Sequence, residues 1–391
     1  QGDDLVGLMV QRSEWMIVGI LGILKSGAAY VPIDPEYPEE RINYILDDAA
    51  VKVLIVETIG LENKFFSPQT SRVYLDEFWS DVAAEGKDNP VHINRQTDLS
   101  YVIYTSGSSG RPKGVLIEHK NVVRLLFNDH FNFSFSEKDT WTVFHSICFD
   151  FSVWEIFGAL LYGGKLVVVS RETALDPASY VELIVREKVT VLNQVPTVFK
   201  NLTTEVFQRQ SLPELSLRYV IFGGEALNPA SLRDWHEQYP HVKLVNMYGI
   251  TETTVHVTYK ELGHDEIYSG ISNIGLPLPT LNLYLMDDEA QLVPIGVVGE
   301  LVVGGDGVAR GYLNRPALTH ERFINNPYRA DERLYRSGDL GMRTESGEII
   351  YLGRRDFQVK IRGYRIEIGE IENVIRGYAG VEDVRVVSRT I

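Results

Sequence analysis

The longest uninterrupted apolar stretch runs from Trp15 to Leu24, with Ser13-Glu14 before it and Lys25-Ser26-Gly27 after it. That pattern predicts a helix with a capping residue in front and a stop behind. Being apolar nearly all round, it should be buried. At about half the length of a membrane span it is too short to cross a bilayer. Ala28 to Ile33 and Val51 to Val56 read as strands, and further β-branched runs follow at Lys165 to Val169, Val189 to Leu192, Tyr219 to Phe222 and Val242 to Asn246. Helical stretches such as Pro177 to Glu187 and Pro229 to Gln238 separate several of them. This alternation predicts an α/β layered fold with largely parallel sheets. From Ile274 to Tyr351 the pattern changes to short strands broken by Gly and Asn, including Leu281 to Met286 and Glu300 to Val303, which predicts a small β-rich subdomain. Arg354-Arg355-Asp356 interrupts it, and Val359 to Ile371 starts a new unit.

At 391 residues, 44% hydrophobic and 23% charged, the chain has the size and composition of two or three globular units. A net charge of −15 argues against nucleic acid or an acidic membrane as partner, since either needs a basic face. Cys148 is the single cysteine, so no intrachain disulfide can form, which fits a reducing cytoplasm. It lies in an apolar run and is expected to be an inert core thiol.

The stretch richest in chemistry is Tyr104-Thr105-Ser106-Gly107-Ser108-Ser109-Gly110-Arg111-Pro112-Lys113-Gly114, directly after the apolar strand Leu99 to Tyr104. Its glycines allow close backbone approach to an anion, and successive N–H groups form a nest. The hydroxyls of Thr105, Ser106, Ser108 and Ser109 add donors, and Lys113 adds a charge, so the loop should grip a polyphosphate. It is not a P-loop: counted from Gly107, the slot for the second glycine holds Pro112.

This run resembles the signature of adenylate-forming enzymes, which include acyl-CoA synthetases, luciferases and the adenylation domains of nonribosomal peptide synthetases. Motifs of that family recur in order along almost the whole chain, and the amino-acid-activating domains are the nearest match. The resemblance implies a large N-terminal domain over residues 1–353, incomplete at its start and with the β-rich subdomain at 274–351. A hinge would follow at 354–357, pivoting on Asp356, and then the start of a small α+β domain at 358–391. Compared with the family, several dozen residues are expected to be missing at the front. The segment bearing the family's near-terminal catalytic lysine is also unmatched, so the chain is expected to be a fragment.

The resemblance implies a reaction in which a carboxylate attacks the α-phosphate of ATP and pyrophosphate leaves. Two anions must meet, so cations and donors have to be aimed at the transferring group. Thr105 to Lys113 would hold the outer phosphates, with Thr105, Ser106 and Lys113 among the catalytic groups and Gly107, Ser108, Ser109 and Gly110 cradling the nucleotide. Asn246-Met247-Tyr248-Gly249-Ile250-Thr251-Glu252 is similar to the family's Asn-x-Tyr-Gly-Pro-Thr-Glu, with Ile250 in the place of proline. By that resemblance Tyr248 stacks on adenine beside Gly249, Asn246 bonds its edge, Thr251 contacts phosphate and Glu252 holds Mg2+. One carboxylate plus phosphate oxygens is a sensible Mg2+ environment. Gly223-Gly224-Glu225 resembles the adenine-facing turn, Asp339 in Tyr335-Arg336-Ser337-Gly338-Asp339-Leu340 the ribose-binding carboxylate, and Arg354 a ribose or phosphate contact. Lys360 to Glu367 resembles the segment that swings in for thioester formation. Leu24 to Asp34, Gly299-Glu300-Leu301 and Gly311-Tyr312 also match family motifs and read as structural.

Phe149-Asp150-Phe151-Ser152-Val153-Trp154-Glu155 decides the subclass. In the amino-acid branch an aspartate here pairs with the substrate ammonium, whereas a fatty-acyl or aryl ligase has no ammonium to pair; helix capping is the competing role for Asp150. Carried over by local motif alignment, the substrate pocket is Asp150, Phe151, Trp154, Asn193, Val220, Phe222, Met247, Val255 and His256. Much of this set looks like the pocket of threonine-activating domains, and Asn193 and His256 could serve a small hydroxyl. Phe222 departs from it, because a glycine usually sits there, and its ring should cost substrate volume. The expected substrate is therefore a small polar amino acid, with a small β-amino acid as an alternative. The aminoacyl group would pass to the phosphopantetheine thiol of a peptidyl carrier protein. An acyl-CoA ligase using free CoA, and an idle fragment serving as a binding module, are the other readings.

Overall fold

The computed structural model describes residues 2–58, 70–77, 82, 84–107, 111–128, 130–355, 359–361, 364–366, 368–376, 378, 381 and 384–387. Ser108, Ser109 and Gly110 of the glycine-rich loop lie outside these residues, as does Asp356 at the expected pivot.

The fold is α/β, built on two mixed sheets. In the first, seven strands run in the order Gly311–Tyr312, Lys113–Glu118, Leu99–Thr105, Ala29–Pro32, Leu5–Met9, Val53–Val56 and Ser71–Tyr74. Its parallel part holds the β-branched runs near the start of the chain, while Leu99–Thr105 and Lys113–Glu118 form an antiparallel pair around the glycine-rich loop. The second sheet begins with five parallel strands, Lys165–Val168, Thr140–Val143, Val191–Gln194, Tyr219–Phe222 and Lys243–Asn246. It continues antiparallel through Thr258–Glu261 and Asn273–Pro277 into Ile349–Arg354, Arg333–Arg343, Val298–Gly305 and Leu281–Met286, and Phe323–Asn325 pairs with Arg333–Arg343. The β-rich stretch read from the sequence thus extends the parallel sheet.

Local signals act as expected at several boundaries. Helix Pro177–Glu187 has proline in its first turn, and the Asp176 side chain accepts from the Ser179 N–H at 3.1 Å. It ends at Lys188, whose φ of 54° is left-handed. The stretch expected as one helix from Pro229 divides into a 3-10 turn Pro229–Leu232 and a helix Arg233–Gln238. The first helix, Glu14–Lys25, corrects an expectation. It buries Met16, Gly19, Ile20 and Ile23 against the first sheet, but Val18 on its outer face is 39% exposed. A helix laid on a sheet covers only one of its own sides, whatever the residues on the other.

Two cores lie on opposite faces of the parallel strands. Along Tyr219–Phe222, Tyr219 and Ile221 join the core that contains Trp154, Phe151 and Met247, while Val220 and Phe222 join the core of Phe199, Leu232 and Trp235. The register pairs Ile221 with Asn193 and Phe222 with Gln194. The expected placement of Val220 and Phe222 in the substrate pocket is therefore wrong by one residue, since side chains alternate between faces along a strand. The Phe222 ring meets Phe199 edge-on at 4.9 Å, in the far core. Replacing Phe222 by Ala should destabilise the protein by about 3–5 kcal/mol, the cost of a large cavity, measured by urea unfolding.

Candidate nucleotide and amino-acid site

The ends of the parallel strands bring most of the expected residues to one rim. Gly224, Glu225, Asn246, Met247, Tyr248 and Gly249 line a narrow crevice together with Ser272, Ile274 and Tyr351. The Tyr248 ring is buried, 5.8 Å from the Tyr351 ring, and its phenol donates to Asp339 at 2.6 Å. Asp339 is fully buried and accepts also from Tyr351 at 3.3 Å and Arg354 at 3.1 Å. Burial and the neighbouring Asp339 carboxylate push the Tyr248 phenol far above its ordinary pKa. Asn246 donates to the Asn273 carbonyl at 2.8 Å. Glu225 accepts from the Thr197 backbone N–H and hydroxyl, and so fastens the glycine turn to the preceding helix, Pro196–Gln208.

Lys113 lies at the start of its strand, buried, with Nζ 3.2 Å from the Glu252 carboxylate. Nζ also donates to the Tyr312 hydroxyl at 3.0 Å; that hydroxyl in turn donates to Glu252 at 2.8 Å and lies 3.1 Å from the Tyr335 hydroxyl. Thr251 and Glu252 occupy a short 3-10 turn, Thr251–Thr253. Thr105, Ser106 and Gly107 lead off the neighbouring strand. Gly249 is required here, because any side chain on it would overlap the Val255 carbonyl oxygen. Tyr312, Tyr335 and Tyr351 are brought to the site by the fold. A tyrosine in a strand reads equally well as core, and only the fold brings its hydroxyl to a carboxylate.

The second cluster adjoins the first. Asp150 stands at the N-terminus of helix Phe151–Leu160, buried, yet caps no backbone N–H of that helix. Trp154 donates from its indole to Asn193 Oδ1 at 3.0 Å. The His256 ring meets Trp154 at 5.0 Å and Phe151 at 5.2 Å, both edge-on. Val255 and Met247 belong to the same core, with Ile221. Gly223 closes the pocket on this face: a Cβ built on it would lie 3.3 Å from both His256 and Phe151. Ile221 and Gly223 thus occupy the positions the alignment had given to Val220 and Phe222. A further pair supports the loop before Asp150: His145 Nδ1 sits 3.0 Å from Glu155, and its ring stacks on Phe151 at 4.5 Å. Cys148 is half-buried, its thiol pushed up to about 12 by burial, which leaves it unreactive.

Three polar atoms in this cluster, Asn193 Nδ2 and both ring nitrogens of His256, are buried with no hydrogen-bond partner among the described residues. Burial first, then the Arg124 guanidinium and His145, hold the His256 pKa down to about 3 from an ordinary 6.5. Below pH 6.5 the unfolded chain takes up a proton that the native state refuses, so this histidine removes stability as the pH falls. In urea unfolding, wild type should lose about 2 kcal/mol more than His256→Asn between about pH 7 and pH 5.

A family model described as AMP-binding enzyme matches residues 1–313. A plipastatin synthase protein of Bacillus subtilis (strain 168) is 53% identical over 390 residues, covering 99% of this chain and 15% of that protein. The chain therefore spans less than a fifth of that relative's length. A solved nonribosomal peptide synthetase protein containing adenylation and PCP domains, bound to a vinylsulfonamide inhibitor, superposes with a TM-score of 0.85 at 26% identity, over 98% of this chain and 65% of that one. Another nonribosomal peptide synthetase, in its alpha-methyl-L-serine-AMP bound form, gives 0.84 at 29% identity over 95% and 41%. The chain belongs to the AMP-binding enzyme family and is an adenylation domain of the nonribosomal peptide synthetase kind.

Proposed function

We propose that this domain activates a small hydroxylated amino acid of threonine size with ATP, giving the aminoacyl-AMP and pyrophosphate. The observation that carries the reading is the position of Asp150. It is a buried carboxylate at a helix start, directly before Phe151, whose ring meets His256. A substrate ammonium would bring a positive charge to it, and a plain carboxylic acid lacks that group. Asn193 and His256 offer unused polar atoms to a side-chain hydroxyl, and an aliphatic side chain would leave them unpaired at a cost of about 1–3 kcal/mol each. With Gly223 rather than a phenyl ring in the pocket, the reason for favouring a β-amino acid falls away. The alpha-methyl-L-serine-AMP bound by a similar structure supports a small hydroxylated substrate.

In this reading the adenosine lies along Gly224, Asn246 and Tyr248, with Asp339 and Arg354 at the ribose. Asp339 already accepts three hydrogen bonds, so it has room for one ribose hydroxyl and a second would displace the Tyr351 or Tyr248 phenol. Glu252 would hold Mg2+, which when bound neutralises charge on the phosphates. The fit is sensible: one buried carboxylate with hydroxyls around it suits an ion that takes its other oxygens from nucleotide and water. Lys113 holds that carboxylate in the present structure and would turn to phosphate oxygens. Thr105, Ser106 and Thr251 supply further donors. The aminoacyl group would then pass to a carrier-protein phosphopantetheine thiol, with the hinge near Asp356 and the small domain from 358 reorienting between the two steps. The PCP domain in a similar structure supports that partner. Among the described residues, no helix is long and apolar enough to cross a membrane.

The test is amino-acid-dependent ATP–pyrophosphate exchange by the intact protein, across α-amino acids, β-amino acids and aliphatic carboxylates. Threonine or a near neighbour should respond most strongly, and Phe222→Ala should leave the profile unchanged. A best response from a plain carboxylate, or none from any amino acid while ATP still binds, would overturn the reading. Asp150→Ala should lower amino-acid-dependent exchange by about a hundredfold or more while sparing ATP binding, the equivalent of losing roughly 3–5 kcal/mol at a buried charge pair. Unchanged exchange would remove Asp150 as the ammonium anchor.

A further inference from the structure

The five residues Glu252 to His256 carry a group for each half of the site. Glu252 faces Lys113, while Val255 and His256 belong to the amino-acid pocket. Their backbone is not relaxed. Thr254 has φ 62° and ψ 79°, and Val255 has φ 64°. The His256 N–H donates to the Thr254 carbonyl at 2.9 Å, which closes a three-residue turn centred on Val255. Positive φ at two consecutive β-branched residues is strongly disfavoured, and a three-residue turn of this hand is rare. Such a conformation persists only where its surroundings impose it.

Arg124 supplies that restraint. It lies in helix His119–Leu126 with its guanidinium buried. Nη2 donates to the Thr253 carbonyl at 2.8 Å and the Thr254 carbonyl at 2.9 Å, and Nη1 reaches the His256 carbonyl at 3.4 Å. Nε is held by the Asn121 carbonyl at 3.2 Å. A rigid, planar fork of donors can grip successive carbonyls in a way a lysine ammonium cannot. The base of the fork is itself fixed. Asn121 donates to the Asp306 carbonyl, the Thr254 hydroxyl donates to the Gly307 carbonyl at 2.9 Å, and any side chain on Gly307 would enter the guanidinium. Glu252 has anchors of its own: its carbonyl accepts from the Ala309 N–H at 3.0 Å, and its carboxylate from Tyr312.

We propose that Arg124 is a positioning residue for amino-acid recognition, holding the strained Thr253–His256 turn so that Val255 and His256 shape the pocket, while the nucleotide half stands independently of it. The proposal rests on the reading of Val255 and His256 as pocket residues. Arg124 acts through three backbone carbonyls of the turn.

The experiment uses the intact protein with Arg124→Met, Arg124→Lys and Arg124→Met combined with Thr254→Asn. Asparagine tolerates positive φ, so it should hold the turn with less outside help. In ATP–pyrophosphate exchange, Arg124→Met should raise the amino-acid KM and lower the preference for threonine over valine, each by about tenfold or more, with the ATP KM within about threefold of wild type. Arg124→Lys should fall between, and adding Thr254→Asn should restore much of the loss. A merely structural role would lower both substrates' affinities together and would not respond to Thr254→Asn. Unchanged amino-acid KM and preference in Arg124→Met would likewise overturn the proposal. Hydrogen exchange of the peptide spanning residues 250–258 separates this from the functional reading. If wild type activates no amino acid, that reading fails. Arg124 as the restraint on the turn then stands if exchange there rises about tenfold in Arg124→Met, and falls if exchange is unchanged.

Discussion

A buried lysine–glutamate pair ties the two sheets together at the point where the proposed chemistry occurs. Lys113 begins a strand of the first sheet, and Glu252 sits in the turn beyond the last parallel strand of the second. Tyr312 from the first sheet and Tyr335 from the second complete the network through their hydroxyls. Taking two charges out of water costs several kcal/mol per ion, and such a pair seldom stabilises more than well-packed apolar residues would. Its effect is positional. Displacing either partner leaves an uncompensated charge in a dry interior, so the sheets are held in one relation. The two charges are also those that a nucleotide and its metal ion would engage.

Around that pair the site is divided by a two-residue step. Gly223 faces Phe151 and His256, and the next residue, Gly224, lines the crevice beside Tyr248. The adjacent strands contribute Asn193 on one side and Asn246 to Tyr248 on the other, at the carboxyl ends of parallel strands, where α/β folds commonly bind ligands. A carboxylate and an α-phosphate brought to neighbouring ends of one sheet need little further motion to meet. The strained turn at Thr254 and Val255 follows from the same economy of space, because one short segment must reach from Glu252 to His256.

The broad architecture was legible in the sequence. The strands Tyr219–Phe222 and Leu281–Met286 and the helix Pro177–Glu187 lie where periodicity and capping residues put them, and other boundaries moved by a residue or two. The crevice where we propose the nucleotide gathers residues from two short motifs, around Gly224 and Tyr248, each carried by one strand end. Tyr312, Tyr351 and Arg124 gave no comparable signal. Their importance comes from partners that only folding brings to them: Glu252 and the Thr253 carbonyl from distant parts of the chain, and Asp339 from the paired strand.

Residue order alone determined the alternation of strands and helices, the glycines that permit close approach, and the family to which the chain belongs. Tertiary structure decided which side of a strand each residue serves. Side chains along Tyr219–Phe222 alternate with a period of two, so a slip of one position moved the expected pocket from Ile221 and Gly223 to Val220 and Phe222. Both faces of this strand are buried and apolar, and the usual contrast between wet and dry sides is missing. Only the register against Asn193, and the cores packed on either face, fix that parity.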